Sequence, residues 1–311
     1  MFTSKGWKVL VFAIVLSTGI TAVTAQDKGT AAGTPVIWEQ VPIAERDLYW
    51  GPGGRESFPV LDGMTFVGRQ VGGNNLKFRL KEKTGREWIV KAADESQPEV
   101  AATRLLWAIG YPTEIDYIVP KVSIAKWGNY KNVRFEARPD DVKRGERWSW
   151  DDNPFKATPE FAGLRIMMAM LNNWDLKDEN TVILQKSDKL YYAVSDLGSS
   201  FGKLAKHSET RSGRSVNKPE DYAGSTFIKT VDGGMIHFNY TAARADLMRG
   251  INVQHGRWLA DLLLQLSDKQ ITDAFRAANY EPEEVATLAA SFKARIAELD
   301  KSTRVTVAEN K

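Results

Sequence analysis

The stretch Asn172-Asn173-Trp174-Asp175-Leu176-Lys177-Asp178-Glu179-Asn180 runs directly into the apolar segment Thr181-Val182-Ile183-Leu184. A second apolar segment, Tyr191-Tyr192-Ala193-Val194, leads into Ser195-Asp196-Leu197-Gly198. Short runs rich in β-branched and aromatic residues read as strands. A loop rich in Asp and Asn is often no more than a turn. Here a strand follows Asn180 at once, and a second strand delivers another carboxylate, Asp196, so the loop reads as part of a site.

In this order the residues resemble the protein-kinase-like superfamily, nearest to its atypical bacterial branches, such as toxin kinases of the HipA type and secreted kinase-like proteins. Asp175 and Asn180 have the Asp-x-x-x-x-Asn spacing of a catalytic loop, and Asp196-Leu197-Gly198 resembles an Asp-Phe-Gly motif. The resemblance implies a base at Asp175 that orients an acceptor hydroxyl and takes its proton. It implies that Lys177 neutralises the moving phosphoryl group, and that Asn180 and Asp196 hold Mg²⁺ against the phosphates. Asn172 and Asn173 stand where eukaryotic kinases carry His-Arg, a departure that bears on regulatory and substrate class rather than on the proposed base and metal ligands.

Upstream, residues 64 to 92 have the character of strands, with alternation along Leu76-Lys77-Phe78-Arg79-Leu80 and a Thr84-Gly85 turn before Trp88-Ile89-Val90-Lys91. Gly68, Gly72 and Gly73 depart from the Gly-x-Gly-x-x-Gly pattern. With the downstream motifs, they read as a divergent loop in which Gly72, Gly73 and Asn74 cover nucleotide phosphates. Ile89-Val90-Lys91-Ala92 resembles the kinase strand whose Lys binds the nonreacting phosphates. A helix follows, with Ser96 as a cap, Glu99 as the third residue of a capping box, and Gly110 and Pro112 as its stop. The resemblance adds a role for Glu99 as the partner of Lys91, with Glu95 as the other candidate.

The remaining sequence bounds the rest. The chain has 311 residues, 43% of them hydrophobic, enough for a two-lobed domain. A formal charge of +3, from 42 Lys and Arg against 39 Asp and Glu, gives no nucleic-acid signal. Lys5 and Lys8 precede the apolar run Val9 to Leu16, and Val23-Thr24-Ala25 offers a cleavage site before Gln26, so residues 1–25 read as a secretory signal peptide. Its loss removes Lys5 and Lys8 and leaves a nearly neutral chain. A secreted or periplasmic protein with no stable membrane insertion is expected, the alternative being an uncleaved N-terminal anchor. There is no Cys, which excludes disulfides, thiolate nucleophiles and Cys-based metal sites. His207, His237 and His255 are scattered and read as local polar residues.

The expected architecture is α+β and bilobal, a protein-kinase-like fold with a small mixed β N-lobe and a mainly helical C-lobe. Residues 26–60 read as an N-terminal extension, 61–122 as the N-lobe, and 123–311 as hinge, inserted segment and C-lobe. Tyr117 to Pro120 is read as the start of the crossover. Arg134, Arg138, Lys143, Arg144 and Arg147 are read as a solvated face, and Phe161, Leu164, Met167, Met168 and Leu171 as helical core. Helices are expected over Tyr240 to Leu266, after Ser267, and over Glu283 to Leu299. The resemblance implies ATP and Mg²⁺ as cofactors, with a nucleotide and a hydroxyl-bearing protein or small molecule as partners. An adenylyl-transferring relative and a noncatalytic binding or scaffold protein are the alternative functions.

Overall fold

Alternation of charged and apolar residues along Lys77-Phe78-Arg79-Leu80-Lys81 makes a strand with one wet and one dry face, since successive side chains point to opposite sides. The computed structural model describes residues 33–70, 75–124, 126–205 and 213–309, and Gly33–Lys311 forms one compact unit. The expected signal peptide and the glycine-loop residues Gly72, Gly73 and Asn74 lie outside the described residues.

After a short first strand, β1 (Thr34–Val36), come β2 (Thr65–Gln70), β3 (Lys77–Lys81), β4 (Glu87–Lys91), β5 (Asp116–Ile124) and β6 (Gly128–Arg138). The last five form one antiparallel sheet in the order β2-β3-β4-β6-β5. Phe78, Trp88, Val90, Tyr117, Val133 and Phe135 fill its core. The β part therefore extends to Arg138, past the expected boundary at residue 122. The expected crossover at Tyr117 to Pro120 is instead the middle of β5, held because Tyr117 and Val119 pair with Phe135 and Val133 of β6.

Helix α1 (Ser96–Ala108) packs against β5 and β6. It stops as expected at Gly110, where φ is 101° and a Cβ would strike the Glu39 carbonyl, so only glycine fits without strain. The expected capping box at its start does not form. Ser96 lies inside the helix and donates back to the Lys91 carbonyl at 3.0 Å, while Glu99 turns to an ion pair instead.

The second half is mainly helical. Strand β7 (Lys143–Arg144) precedes α2 (Pro159–Met170), which Thr158 caps by accepting from the Phe161 N–H at 3.2 Å, with Met167 and Met168 in the core as expected and Met170 beside them. The two strands expected after the loop of residues 172–180, β8 (Thr181–Lys186) and β9 (Lys189–Val194), pair as an antiparallel hairpin in a sheet ordered β1-β9-β8-β7. Then come α3 (Pro219–Ala223), the hairpin β10 (Ile228–Asp232) and β11 (Met235–Phe238), α4 (Val253–Leu263), α5 (Asp268–Ala277) and α6 (Pro282–Glu309). The helix expected from Tyr240 begins only at Val253, because Gly250 takes a φ of 72° and Asn252 starts a capping box with His255. The helix expected after Ser267 forms, opened by a capping box between Ser267 and Gln270.

The N-terminal extension is part of this half. β1 pairs in parallel with β9, and Ile37, Ile43 and Leu48 join the large helical core. Gln270 Nε2 ties it down by donating to the Ile43 and Arg46 carbonyls at 2.8 and 2.9 Å.

Candidate active site

Lys91 ends β4, and α1 starts five residues later, so Glu95 and Glu99 approach it from one face one turn apart. The Lys91 ammonium lies 2.9 Å from Glu95 Oε2, 3.0 Å from Glu99 Oε2 and 3.5 Å from Asp196 Oδ1. Its side chain is 1% exposed. Burial works against the ammonium, but Glu99, Asp196 and Glu95 outweigh it and raise the Lys91 pKa. A buried cation needs such partners, because removal from water costs more than one imperfect contact returns.

Glu99 is shared. In β6, Arg134 sits directly opposite Lys91 in the strand register and hydrogen-bonds Glu99 Oε1, while its Nη2 reaches Glu136 Oε2 at 2.6 Å. Burial pushes the Glu99 carboxyl up to about 7 against the lowering pull of Arg134 and Lys91. Arg134 is 3% exposed, which corrects its reading as part of a solvated face. Strand alternation explains it: Val133, Phe135 and Ala137 face the core, so Arg134 and Glu136 face the other side together. Sequence reasoning gave Arg134 no role in the site. The alternation of charged and apolar residues from 133 to 138 was its signal.

The loop of residues 172–180 leaves α2 through Leu171 and turns at Asn172, whose φ is 53°, a conformation Asn tolerates better than most residues. Asn172 donates to the Gly202 carbonyl at 2.8 Å and accepts from Arg295 Nη1 at 2.9 Å. Asn173 Oδ1 accepts from the Asp175 N–H at 3.1 Å, and its carbonyl accepts from the Tyr240 hydroxyl at 2.6 Å. The two asparagines thus fix the loop that presents Asp175.

Asp175 Oδ2 accepts from Lys177 Nζ at 2.8 Å and Asn180 Nδ2 at 3.0 Å, and the Asn180 amide also donates to the Asp175 carbonyl at 2.8 Å. Asp175 Oδ1 has no donor among the described residues. With the Asn180 NH₂ turned to Asp175, Asn180 Oδ1 is also left without a donor there. One oxygen of the carboxylate positions the loop and the other stays available.

Asp196 follows β9 and is steadied by the Gly198 N–H, which donates to Oδ1 at 3.2 Å. Burial opposes its charge, but Lys91 and then Arg134 outweigh that and hold its pKa below the usual carboxylate range. Gly198 lets the turn pack on the start of α1, since a Cβ there would lie 2.7 Å from Glu95 Cβ and 3.0 Å from its carbonyl oxygen.

Most of the acidic and amide groups of the site line one cavity of about 700 Å³. Glu95, Glu99, Asp175, Lys177, Asn180 and Asp196 line it, with Ile89 and Val182 as apolar surfaces. The structure therefore brings Lys91, Glu99 and Asp196 together, and places Asp175, Lys177 and Asn180 on the same cavity. Gln70 and Asn75 also line it, and Asn75 hydrogen-bonds Glu95. Among the described residues no group of three or more His, Cys, Asp or Glu is gathered for a metal ion. Two oxygen donors, Asn180 and Asp196, nonetheless suit Mg²⁺, which keeps waters and takes further oxygens from bound phosphates. His237 lies in β11, and His255 closes the capping box that Asn252 starts, in keeping with its reading as a local polar residue.

No known protein-family pattern matches the chain, and no curated protein matches it. Among solved structures, the chain is similar to the Helicobacter pylori proinflammatory kinase CtkA, with a TM-score of 0.49 and 12% identity over 80% of this chain and 98% of that one. It is also similar to the Golgi casein kinase, with a TM-score of 0.38 and 10% identity over 76% of this chain and 72% of that one.

Proposed function

We propose that the chain is an ATP- and Mg²⁺-dependent phosphotransferase acting on a hydroxyl of a protein or small molecule. One observation carries the reading: Glu99 and Asp196, both paired with the buried Lys91 ammonium, and the Asp175–Asn180 pair line a single cavity. Phosphoryl transfer is mostly positioning and charge stabilisation, so it needs these parts near one another rather than a covalent nucleophile on the protein.

Lys91 binds the nonreacting phosphates of the donor while Glu99, itself anchored by Arg134, keeps the ammonium in place. Asp175 orients the acceptor hydroxyl through Oδ1 and takes its proton as the oxygen attacks the terminal phosphorus of ATP, whose bond to the bridging oxygen breaks so that ADP leaves. Lys177, paired with Asp175 at 2.8 Å, offsets charge on the moving group. Asn180 and Asp196 would hold Mg²⁺, which when bound supplies charge neutralisation at the phosphate oxygens.

The deciding experiment is a donor and acceptor screen with the purified chain, following products by intact mass. Addition of a phosphoryl group that requires Mg²⁺ and Asp175 supports the reading. An adenylyl increment would replace it with the other nucleotide chemistry, and nucleotide binding without transfer to any acceptor would favour a binding role.

A further inference from the structure

A second cavity, of about 270 Å³, lies between the N-terminal extension, the α1–β5 connection, the segment after β6 and the β8–β9 hairpin. Its walls are mostly apolar, with Val41, Trp107, Tyr111, Val142, Leu184 and Tyr191 among them. The Glu114–Arg144 and Glu136–Arg138 ion pairs lie between it and the cleft, since Arg138 and Arg144 line both.

Two polar groups in this wall are unspent. Thr113 Oγ1 is buried with no hydrogen-bond partner among the described residues. Buried polar atoms are rarely left so, and those that are call for an explanation. The second is Arg46, half-buried, with its guanidinium 4.2 Å from the centre of the Trp107 ring and one N–H on the Trp107 carbonyl. The other cations of the wall have carboxylates: Arg144 has Glu114, Arg138 has Glu136, and Lys186 has Asp141 at 2.9 Å. Glu39, the acid whose charge acts on Arg46, is itself paired with Lys189 at 2.5 Å. Among the described residues, then, Arg46 is the wall's cation without a carboxylate partner.

We propose that this cavity is a binding site for a small aromatic monocarboxylate, its ring among the apolar walls and its carboxylate on Arg46. A charge-assisted bond to a partly desolvated guanidinium is stronger than a neutral one, and a flat ring suits a wall of Trp and Tyr. One unpaired positive charge selects a monoanion over a cation or a neutral ring. The volume is sufficient, because a cavity of about 150 Å³ already takes benzene. The assignment does not depend on the cleft's chemistry.

Titration calorimetry on the full chain with indole-3-acetate, indole and tryptamine tests it. Indole-3-acetate is expected to bind with a Kd of roughly 10⁻⁴ M, as ligand efficiency allows for a molecule of this size. Indole should bind about tenfold more weakly, and tryptamine more weakly still. Arg46→Gln should lower affinity for the acid about tenfold while leaving indole unchanged. Leu184→Trp should fill the cavity and abolish binding of both, whereas Asp196→Asn in the cleft should change neither. Equal affinity for the acid and tryptamine, or no measurable binding of the acid, overturns the proposal. So does loss of binding in Asp196→Asn, which would place the probe in the cleft. The ligand comparison uses the unaltered chain, so it decides the matter even if a variant fails to fold.

Discussion

Glu95 meets the Lys91 ammonium at 2.9 Å, closer than Glu99 at 3.0 Å, yet the two carboxylates stand in different surroundings. The Glu95 side chain is 25% exposed and bonded by Asn75, whereas that of Glu99 is 3% exposed and locked by Arg134. Glu99 is built into the lobe. Glu95 is the more exposed of the two, so on the proposed reading it would compete with an anionic ligand for the same ammonium.

The first prediction follows from that competition. Glu95→Gln removes a negative charge at the phosphate position without disturbing the Lys91–Glu99 pair. Calorimetric titration with ATP should show affinity raised about fivefold to tenfold, since a partly exposed charge pair is worth roughly 1 kcal/mol. Weaker binding in this variant would show that Glu95 helps to hold Lys91 for the nucleotide rather than competing with it.

Glu99 gives a pH signature of definite sign. Burial lifts its carboxyl from 4.5 to about 7, so the folded chain holds the proton more tightly than the unfolded chain. The stability this contributes is complete below pH 4.5 and is lost as pH rises through 7. Relative to Glu99→Gln, which cannot titrate, the wild-type chain should lose roughly 3 kcal/mol across that window. Urea unfolding of both at several pH values measures the difference. A flat difference would mean that the pair with Lys91 and Arg134 keeps Glu99 ionised throughout.

Gly198→Ala tests the contact between the Asp196 turn and the start of α1. The added Cβ would sit 2.7 Å from Glu95 Cβ, with backbone close behind, so the turn or the helix must shift. Overpacking of this kind costs about 1–3 kcal/mol. Thermal unfolding should show that loss, and Mg²⁺-dependent nucleotide binding should weaken because Asp196 moves with the turn. An unchanged melting temperature would mean that the turn yields freely.

The parts of the site that were legible in the sequence are those set by short spacings. Asp175, Lys177 and Asn180 interact within five residues, and Lys91 meets Glu95 and Glu99 across one strand-to-helix junction. The local pattern therefore carried most of their geometry. Arg134 is different, because its contact with Glu99 spans 35 positions and depends on β6 inserting between β4 and β5. The alternation from Val133 to Arg138 marks a strand with two faces but carries no hint of that register. The lobe boundary failed for the same reason: β6 completes the sheet from beyond the expected crossover. The helix expected from Tyr240 failed locally, at a glycine turn and an asparagine cap that apolar periodicity alone does not weigh.

The strongest separation of roles is between Asp175 and Asp196. Asp175 spends Oδ2 on Lys177 and Asn180 and keeps Oδ1 without a donor among the described residues, the arrangement expected of a group that must accept a proton from outside. Asp196 is instead drawn to Lys91 and Arg134, which favour its ionised form, as a phosphate-side metal ligand requires. Asp175→Asn keeps an amide oxygen for the loop bonds but cannot take the proton, so transfer should fall by about 10²–10⁴-fold while nucleotide affinity stays within about threefold. Asp196→Asn should weaken Mg²⁺-dependent binding as well as transfer, because it removes charge from the ligand set and from the Lys91 network together. Calorimetry beside the mass-based transfer assay, on variants shown by thermal unfolding to be folded, separates the two. If Asp175→Asn transfers at the wild-type rate with a verified donor and acceptor, Asp175 is not the base and its bonds to Lys177 and Asn180 only shape the loop.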